Sequence, residues 1–244
     1  MTFSIRSYRA VVLALALLGF ASVNALAQSP MLSIQVGMNG GTVWGTEQQG
    51  TNSDGGTVYN YNGTYNNPNL QFNWDIDGDA DPFINGAFGV TNVSGVKQDF
   101  SVTFNLPTIP LAGPTLTGGS SSFSVTVDGG GGSVTSVPGS PIYQSLIDGL
   151  PHVGLFTDPF DTGPIPAFTS SPTFGPAVFG APVFPTPTFP GPAVAGSIGI
   201  KFEFSLTPGD SIGITGGFNV IPEPATAGLI AIGGLALIRR RNRR

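Results

Sequence analysis

The chain has no cysteine and a single histidine among its 244 residues. Without cysteine, an exported form cannot be held by disulfides, and thiol catalysis, thiolate metal sites and haem attachment are excluded. With His152 as the only imidazole, a histidine-based metal site or a Ser-His-Asp triad is hard to build. We therefore interpret His152 as a residue of a surface loop.

Basic residues are scarce between the two ends of the chain. In residues 28–219 only Lys97 and Lys201 are basic, against thirteen acidic residues from Glu47 to Asp210. Nucleic acids and anionic membrane surfaces are poor partners for such a body, because binding them requires clustered Lys and Arg. Divalent cations and neutral sugars remain open as ligands.

Residues 28–219 also lack a sustained 3.6-residue period of apolar side chains, which an amphipathic helix would show. The whole chain holds 36 glycines and 22 prolines, and Thr, Val and Phe are abundant, which favours short strands joined by turns. The sequence therefore predicts one all-β domain, an antiparallel β-sandwich. The clearest predicted strands are Met31–Met38, Leu70–Trp74, Phe83–Asn92, Gln98–Leu106, Ser122–Val127, Ser133–Val137, Val194–Leu206 and Ser211–Val220.

Turn sequences predict how these strands connect. Antiparallel hairpins are expected around residues 92–95, 128–132 and 207–210. The glycine-rich turn at 128–132 is not interpreted as a phosphate loop, because strand-like sequence follows it where a helix N-terminus would be needed. Gly45–Asn69 predicts a loop or a weak polar hairpin, and Ile142–Leu150 predicts one helical turn.

Residues 158–192 differ in composition from the rest of the body. They hold ten prolines, and five phenylalanines recur at steps of five or six residues. Proline at this density excludes helix and central strand, so we predict an extended, polyproline-like arm. We interpret the phenylalanines as a strap packed on the sandwich, with exposure to a partner as the alternative. They are Phe168, Phe174, Phe179, Phe184 and Phe189.

The N-terminus has the pattern of a secretory signal peptide. Arg6 and Arg9 precede an apolar stretch from Ala10 to Phe20, which predicts a signal helix. Ala25 and Ala27 form a small-x-small cleavage site. We therefore predict that residues 1–27 are removed by signal peptidase.

The C-terminal segment 220–244 has the pattern of a membrane anchor. Ala225–Ile238 is an apolar run, and we predict a transmembrane helix that covers about 21 Å of a hydrocarbon core of roughly 30 Å. Pro222 and Pro224 predict a flexible joint before it. Arginines beyond the run can extend along its surface and are held on the cytoplasmic side, so the body lies outside the cytoplasm. These are Arg239, Arg240, Arg241, Arg243 and Arg244.

Pro222-Glu223-Pro224, the apolar run and the terminal arginines together resemble the PEP-CTERM sorting signal. The resemblance covers about a tenth of the chain and implies cleavage near the Pro-Glu-Pro motif by an exosortase, a membrane protease. It also implies a Gram-negative bacterium that makes exopolysaccharide. We expect the protein in the inner membrane before processing, and then at the cell surface or outside the cell. An ordinary anchor with two incidental prolines is the alternative.

Four aspartates alternate along residues 75–81. Carboxylates this close together repel each other unless they are solvated or bind a hard cation. Calcium is such a cation and prefers carboxylate oxygens. The EF-hand pattern fails because Ala80 stands where glycine is needed and Gly86 stands where glutamate belongs. The sequence leaves two interpretations: an acidic turn, or a weak calcium site formed by Asp75, Asp77, Asp79 and Asp81. We predict no other cofactor.

The sequence favours a structural or binding role over catalysis. Asp161-Thr162-Gly163 matches the tripeptide of aspartic proteases, but it occurs once, and two such aspartates are needed. We expect a non-enzymatic surface or extracellular-matrix protein associated with biofilm or exopolysaccharide. The alternative is a calcium- or carbohydrate-binding module that uses the acidic stretch and exposed rings such as Trp44, Tyr59, Tyr61 and Tyr65.

Overall fold

The computed structural model describes residues 29–52, 55–167, 171–181 and 187–223, and within these ranges it contains fourteen β-strands and no helix. The all-β class is therefore confirmed for the described residues, while the predicted signal and transmembrane helices lie outside them. The strands are β1 Met31–Met38, β2 Gly41–Gln49, β3 Tyr59–Asn66, β4 Leu70–Asp79, β5 Phe83–Asn92, β6 Gln98–Pro107, β7 Thr115–Thr126, β8 Val134–Ser136, β9 Tyr143–Ile147, β10 Leu150–Leu155, β11 Thr173–Phe179, β12 Phe189–Gly191, β13 Ser197–Leu206 and β14 Ser211–Pro222.

The strands form two antiparallel sheets. Sheet I has the order β10-β9-β13-β6-β1-β2, and β8 also pairs with β13. Sheet II has the order β11-β7-β14-β5-β4-β3, and β12 also pairs with β7. This arrangement is consistent with the predicted β-sandwich.

Inward-facing side chains of the two sheets meet in one aromatic core. The ring of Phe88 in β5 lies 4.8 Å from the ring of Phe202 in β13 and 5.6 Å from that of Phe104 in β6. Each such side chain contributes roughly 1.5–3 kcal/mol by leaving water. The alternation in β6 is confirmed, because its inward residues Phe100, Val102, Phe104 and Leu106 are all buried.

The three predicted hairpins are wrong. β5 and β6 lie in opposite sheets, and so do β7 and β8, and β13 and β14. At each of these turns the chain crosses from one sheet to the other. Two-residue alternation specifies which side chains of a strand face the core, but it does not specify which sheet the strand joins.

Hydrogen bonds around the buried residues Asn92 and Asp210 connect these crossings at one end of the fold. The backbone N–H of Asn92 donates to the carbonyl of Asp210 at 3.0 Å, and the N–H of Gly209 donates to the carbonyl of Asn92 at 2.8 Å. The carboxylate of Asp210, fully buried, accepts from the N–H of Asp128 at 3.0 Å and from the hydroxyl of Thr207. We call Asn92, Asp128, Thr207 and Asp210 the crossover cluster.

Two further predictions of irregular structure are corrected. Gly45–Asn69, predicted as a loop or a weak polar hairpin, contains much of β2 and all of β3, and these strands lie in different sheets. The predicted helical turn at Ile142–Leu150 is a hairpin of β9 and β10. Asp148 and Gly149 both have positive φ, 51° and 75°, as a type I′ turn requires.

The proline-rich arm is partly strand. β11 and β12 pair with β7 at the edge of sheet II, where the missing N–H of Pro176 and Pro190 is tolerated. The prediction of an extended, polyproline-like arm is therefore wrong for β11 and β12, which are edge strands and not the central strands that proline excludes.

Three of the five arm phenylalanines lie in the described residues, and two of them pack inward. The ring of Phe174 stacks on that of Phe123 at 5.0 Å, and Phe179 is only 8% exposed, as a strap requires. Phe189 is 42% exposed. Phe168 and Phe184 lie outside the described residues.

Candidate functional site

The first residues of the predicted sorting motif belong to the folded body. Pro222 is the last residue of β14 and pairs with Thr115, and the N–H of Glu223 donates to the carbonyl of Pro114 at 3.2 Å. The domain boundary predicted at residue 219 thus falls inside a strand. The predicted flexible joint is wrong for Pro222 and Glu223.

The other predicted sorting residues belong to the two ends of the chain, beyond the described ranges. Pro224, the cleavage residues Ala25 and Ala27, and the arginines of residues 239–244 lie outside the described residues. In the part of the chain that is described, no helix is long and apolar enough to cross a membrane.

Three of the four aspartate carboxylates accept hydrogen bonds from the protein. Asn60 Nδ2 donates to Asp75 Oδ1 at 2.6 Å and to Asp77 Oδ1 at 3.0 Å, across the pair of β3 and β4. Asp79 is 8% exposed and accepts from the hydroxyl of Thr57 and from the N–H of Asp81. Across the described ranges, no group of three or more His, Cys, Asp or Glu side chains is arranged to hold a metal ion. The calcium site stays a prediction that this geometry does not favour.

The four aromatic rings proposed as an exposed sugar platform are packed instead. Tyr61 is fully buried, and its hydroxyl donates to the carbonyl of Pro30 at 2.8 Å. Trp44 and Tyr65 stack on each other at 4.8 Å, and both, like Tyr59, are partly buried against the core. Their assignment as exposed rings is therefore wrong.

His152 lies in β10 rather than in a loop. Its half-buried ring lies 5.8–6.4 Å from the rings of Phe179, Phe189 and Phe218, and its Nε2 is 3.0 Å from Thr117 Oγ1 of sheet II. Burial lowers the pKa of His152, so the ring is neutral at pH 7. The side chain joins the two sheets.

The protease-like tripeptide forms a local turn. The carboxylate of Asp161 accepts from the N–H of Gly163 at 2.8 Å, and its backbone pairs with Thr135. This geometry explains the tripeptide as a structural element beside β8.

A polar groove of about 480 Å³ lies on the outer face of sheet I. This size is within the range of roughly 300–1,000 Å³ of small-molecule sites. The register brings together side chains of β1, β6, β13 and β9, so that two rows cross the sheet. One row is Gln35, Thr103, Lys201 and Gln144, and the next is Ser33, Asn105, Gly199 and Leu146.

Gly199 deepens the groove because it leaves a gap in the second row. A Cβ at this position would lie 2.7 Å from the carbonyl oxygen of Phe104 and 3.2 Å from Asn105 Oδ1. A larger residue would therefore collide with the floor of the groove and fill the space between Asn105 and Leu146.

The wall of the groove is the β9–β10 hairpin, and Asp148 fixes its tip. The carboxylate accepts backbone N–H groups of Ala195, Gly196 and Ser197 at 2.7, 2.8 and 3.0 Å. Burial alone would raise the pKa of Asp148, but these three donors lower it below its usual value. The ionised carboxylate thus ties the hairpin to the segment that leads into β13.

The lysine that lines the groove is paired with an acidic neighbour on the same strand. Lys201 Nζ lies 2.9 Å from Glu203 Oε1, and these side chains are 32% and 20% exposed. Such a partly exposed pair contributes at most about 1 kcal/mol to stability. Its main effect is to neutralise the lysine that lines the groove.

The polar side chains of the groove are uncommitted. None of six such side chains forms a hydrogen bond with another described residue; they are Ser33, Gln35, Thr103, Asn105, Gln144 and Ser197. On the outer face of sheet II, by comparison, two pairs of Ser and Thr hydroxyls meet each other. Ser122 meets Thr215 at 2.6 Å, and Thr91 meets Ser211 at 2.8 Å.

No protein-family model matches this chain, and a search of curated proteins finds no match. The groove must therefore be interpreted from its own chemistry.

Part of this groove could be predicted from the sequence. Alternation in Gln98–Leu106 predicts that Thr103 and Asn105 face outward, and they do. It does not predict that β1, β13 and β9 lie beside β6, and the Asp148-Gly149 hairpin signal was missed.

Proposed function

We propose that this protein is exported to the cell surface or extracellular matrix of a Gram-negative bacterium and acts there in biofilm or exopolysaccharide structure. Residues 1–27 direct export, and signal peptidase cleaves after Ala27. Pro222-Glu223-Pro224, the apolar run and the arginines then hold the chain in the inner membrane, where an exosortase-type protease cuts it.

The observation that carries the proposal is the position of the motif relative to the fold. All fourteen described strands end at or before Pro222, and the last described contact of the backbone is that of Glu223 with Pro114. The apolar run begins two residues later at Ala225, and the arginines follow it from Arg239. A tail appended just beyond the last strand can be removed without taking any strand from the body.

We also propose that the body binds rather than catalyses. The sequence candidates for chemistry have structural surroundings: Asp161 closes a local turn, and His152 packs between phenylalanine rings. Lys201 is paired with Glu203. This supports a role as a matrix component.

Intact-mass analysis of the protein from its native host tests the proposal. We expect a product that begins at Gln28 and ends near Glu223. Replacing Pro222-Glu223-Pro224 by three alanines should leave the tail attached, whereas Glu47→Ala, a change to an exposed acid of the body, should not affect processing. A full-length chain with both ends intact in the cytosol would refute export.

A further inference from the structure

We propose that the groove on sheet I binds a neutral, hydroxyl-rich glycan chain. The groove is about 480 Å³ and is lined mainly by amide and hydroxyl side chains. Each amide presents a donor and an acceptor side by side, and each hydroxyl can do both, which matches the adjacent hydroxyls of a sugar ring. The inference rests on the proposed function only for the location of the glycan, which is the cell surface or extracellular matrix.

The strongest support is a set of polar side chains around the groove that have no hydrogen-bond partner among the described residues. Some surface hydroxyls elsewhere pair with each other, as Ser122 and Thr215 of sheet II do. In the groove, Gln35, Asn105 and Gln144 form no such bonds with described residues, and Asn105 Oδ1 is itself buried without a partner. Uncommitted polar groups around a concavity are available to a ligand, which gains the hydrogen bonds they lack.

Charge selects a neutral ligand over an anionic one. Lys201 is the only basic side chain lining the groove, and Glu203 lies 2.9 Å from it. Asp148 adds a negative charge at the hairpin. An anionic glycan would therefore meet no unpaired cation.

The position of the groove disfavours an extended peptide. The groove lies on a sheet face, where the backbone groups of β1, β6, β13 and β9 are used in pairing between strands. Peptides that add to sheets pair with free edge strands, which this face does not offer. Side chains alone must recognise the ligand here.

Calorimetric titration of the full-length protein, in a detergent without a sugar headgroup, tests the inference. The probes are cellohexaose, maltohexaose and hexagalacturonate. We expect binding of at least one neutral hexasaccharide and at least tenfold weaker binding by the double variant Asn105→Ala, Gln144→Ala. The matched control is Gln71→Ala, Asn73→Ala, which removes the same residue types from the exposed face of β4 and should leave affinity unchanged.

A second variant tests the role of charge. Glu203→Gln frees Lys201, so affinity for hexagalacturonate should rise while affinity for the neutral probe stays within about twofold. If the double variant fails to fold, Gln35→Ala should reproduce the loss of affinity.

Three outcomes would overturn the inference: no heat with either neutral probe at millimolar concentration, binding of hexagalacturonate alone by the unmodified protein, or equal losses in the double variant and its control. None of these would affect the proposed export, which the mass of the processed chain tests separately.

Discussion

Replacing Asn92 by alanine should destabilise the body strongly, because this side chain joins two crossings between the sheets. It is fully buried, and its Nδ2 donates to the carbonyls of Val96 and Leu206, both at 2.9 Å. Its Oδ1 accepts from the N–H of Ser94 at 3.0 Å and from the hydroxyl of Ser94 at 2.7 Å. Alanine removes all four bonds.

The four bonds do not contribute equally. Ser94 and Val96 lie in a partly exposed loop, so water can replace much of what they lose. The bond to the Leu206 carbonyl is buried, and an unsatisfied buried group costs about 1–3 kcal/mol. The loss of the loop bonds adds about 1 kcal/mol, so we expect a total loss of about 3 kcal/mol. For a body of this size that lowers Tm by about 6–12 °C.

Urea unfolding of the full-length protein in detergent, followed by the fluorescence of Trp44 and Trp74, measures this loss. The midpoint should fall while the slope with urea stays constant, because the surface exposed on unfolding does not change. Asn66→Ala is the matched control, since Asn66 is exposed in β3. A loss below 1 kcal/mol for Asn92→Ala would refute the reasoning that this residue holds the crossings together.

Two further perturbations test the packing between the sheets. Tyr143, fully buried in β9, donates to the carbonyl of Gly217 in β14 at 2.9 Å, and burial raises its pKa above the usual value. Its contribution to stability is therefore complete below about pH 10 and is lost as the pH rises further, because the unfolded chain ionises first. Tyr143→Phe should cost about 1 kcal/mol at pH 8 and weaken the fall in unfolding free energy between pH 9 and 11; an unchanged fall would contradict this. Gly119→Ala should cost about 1–3 kcal/mol in urea unfolding, because its Cβ would lie 2.4 Å from the ring of Phe179. Gly213→Ala, whose Cβ would meet only Ser124 Oγ at 3.4 Å, is the control, and equal losses in both variants would contradict the steric argument.

Strand positions were predictable from the sequence where a strand has one buried face, as β1 and β5 do. The bounds of β1 and β5 match the predicted Met31–Met38 and Phe83–Asn92. In both, apolar side chains recur at every second position, which a strand can bury and a helix cannot. β3 was missed because its outward residues are polar and its inward tyrosines resemble loop aromatics in composition.

Sheet membership was not predictable from these local patterns. A turn such as Thr207-Pro208-Gly209-Asp210 suits a hairpin and a crossing equally well. The difference lies in contacts distant in sequence, such as that between Asn92 and Asp210. The groove was hidden for the same reason, because Gln35, Thr103, Lys201 and Gln144 become neighbours only through strand order.

The placement of β14 separates the stability of the body from its anchorage. β14 lies between β7 and β5, and its pairing with β7 extends to Pro222. A cut after Glu223 would therefore leave the central strand of sheet II paired on both sides. On the proposed function, the body would stay folded without its tail, and its retention at the surface would then depend on what it binds. On the same proposal, the polar groove, rather than the sorting tail, would hold the processed protein at the surface.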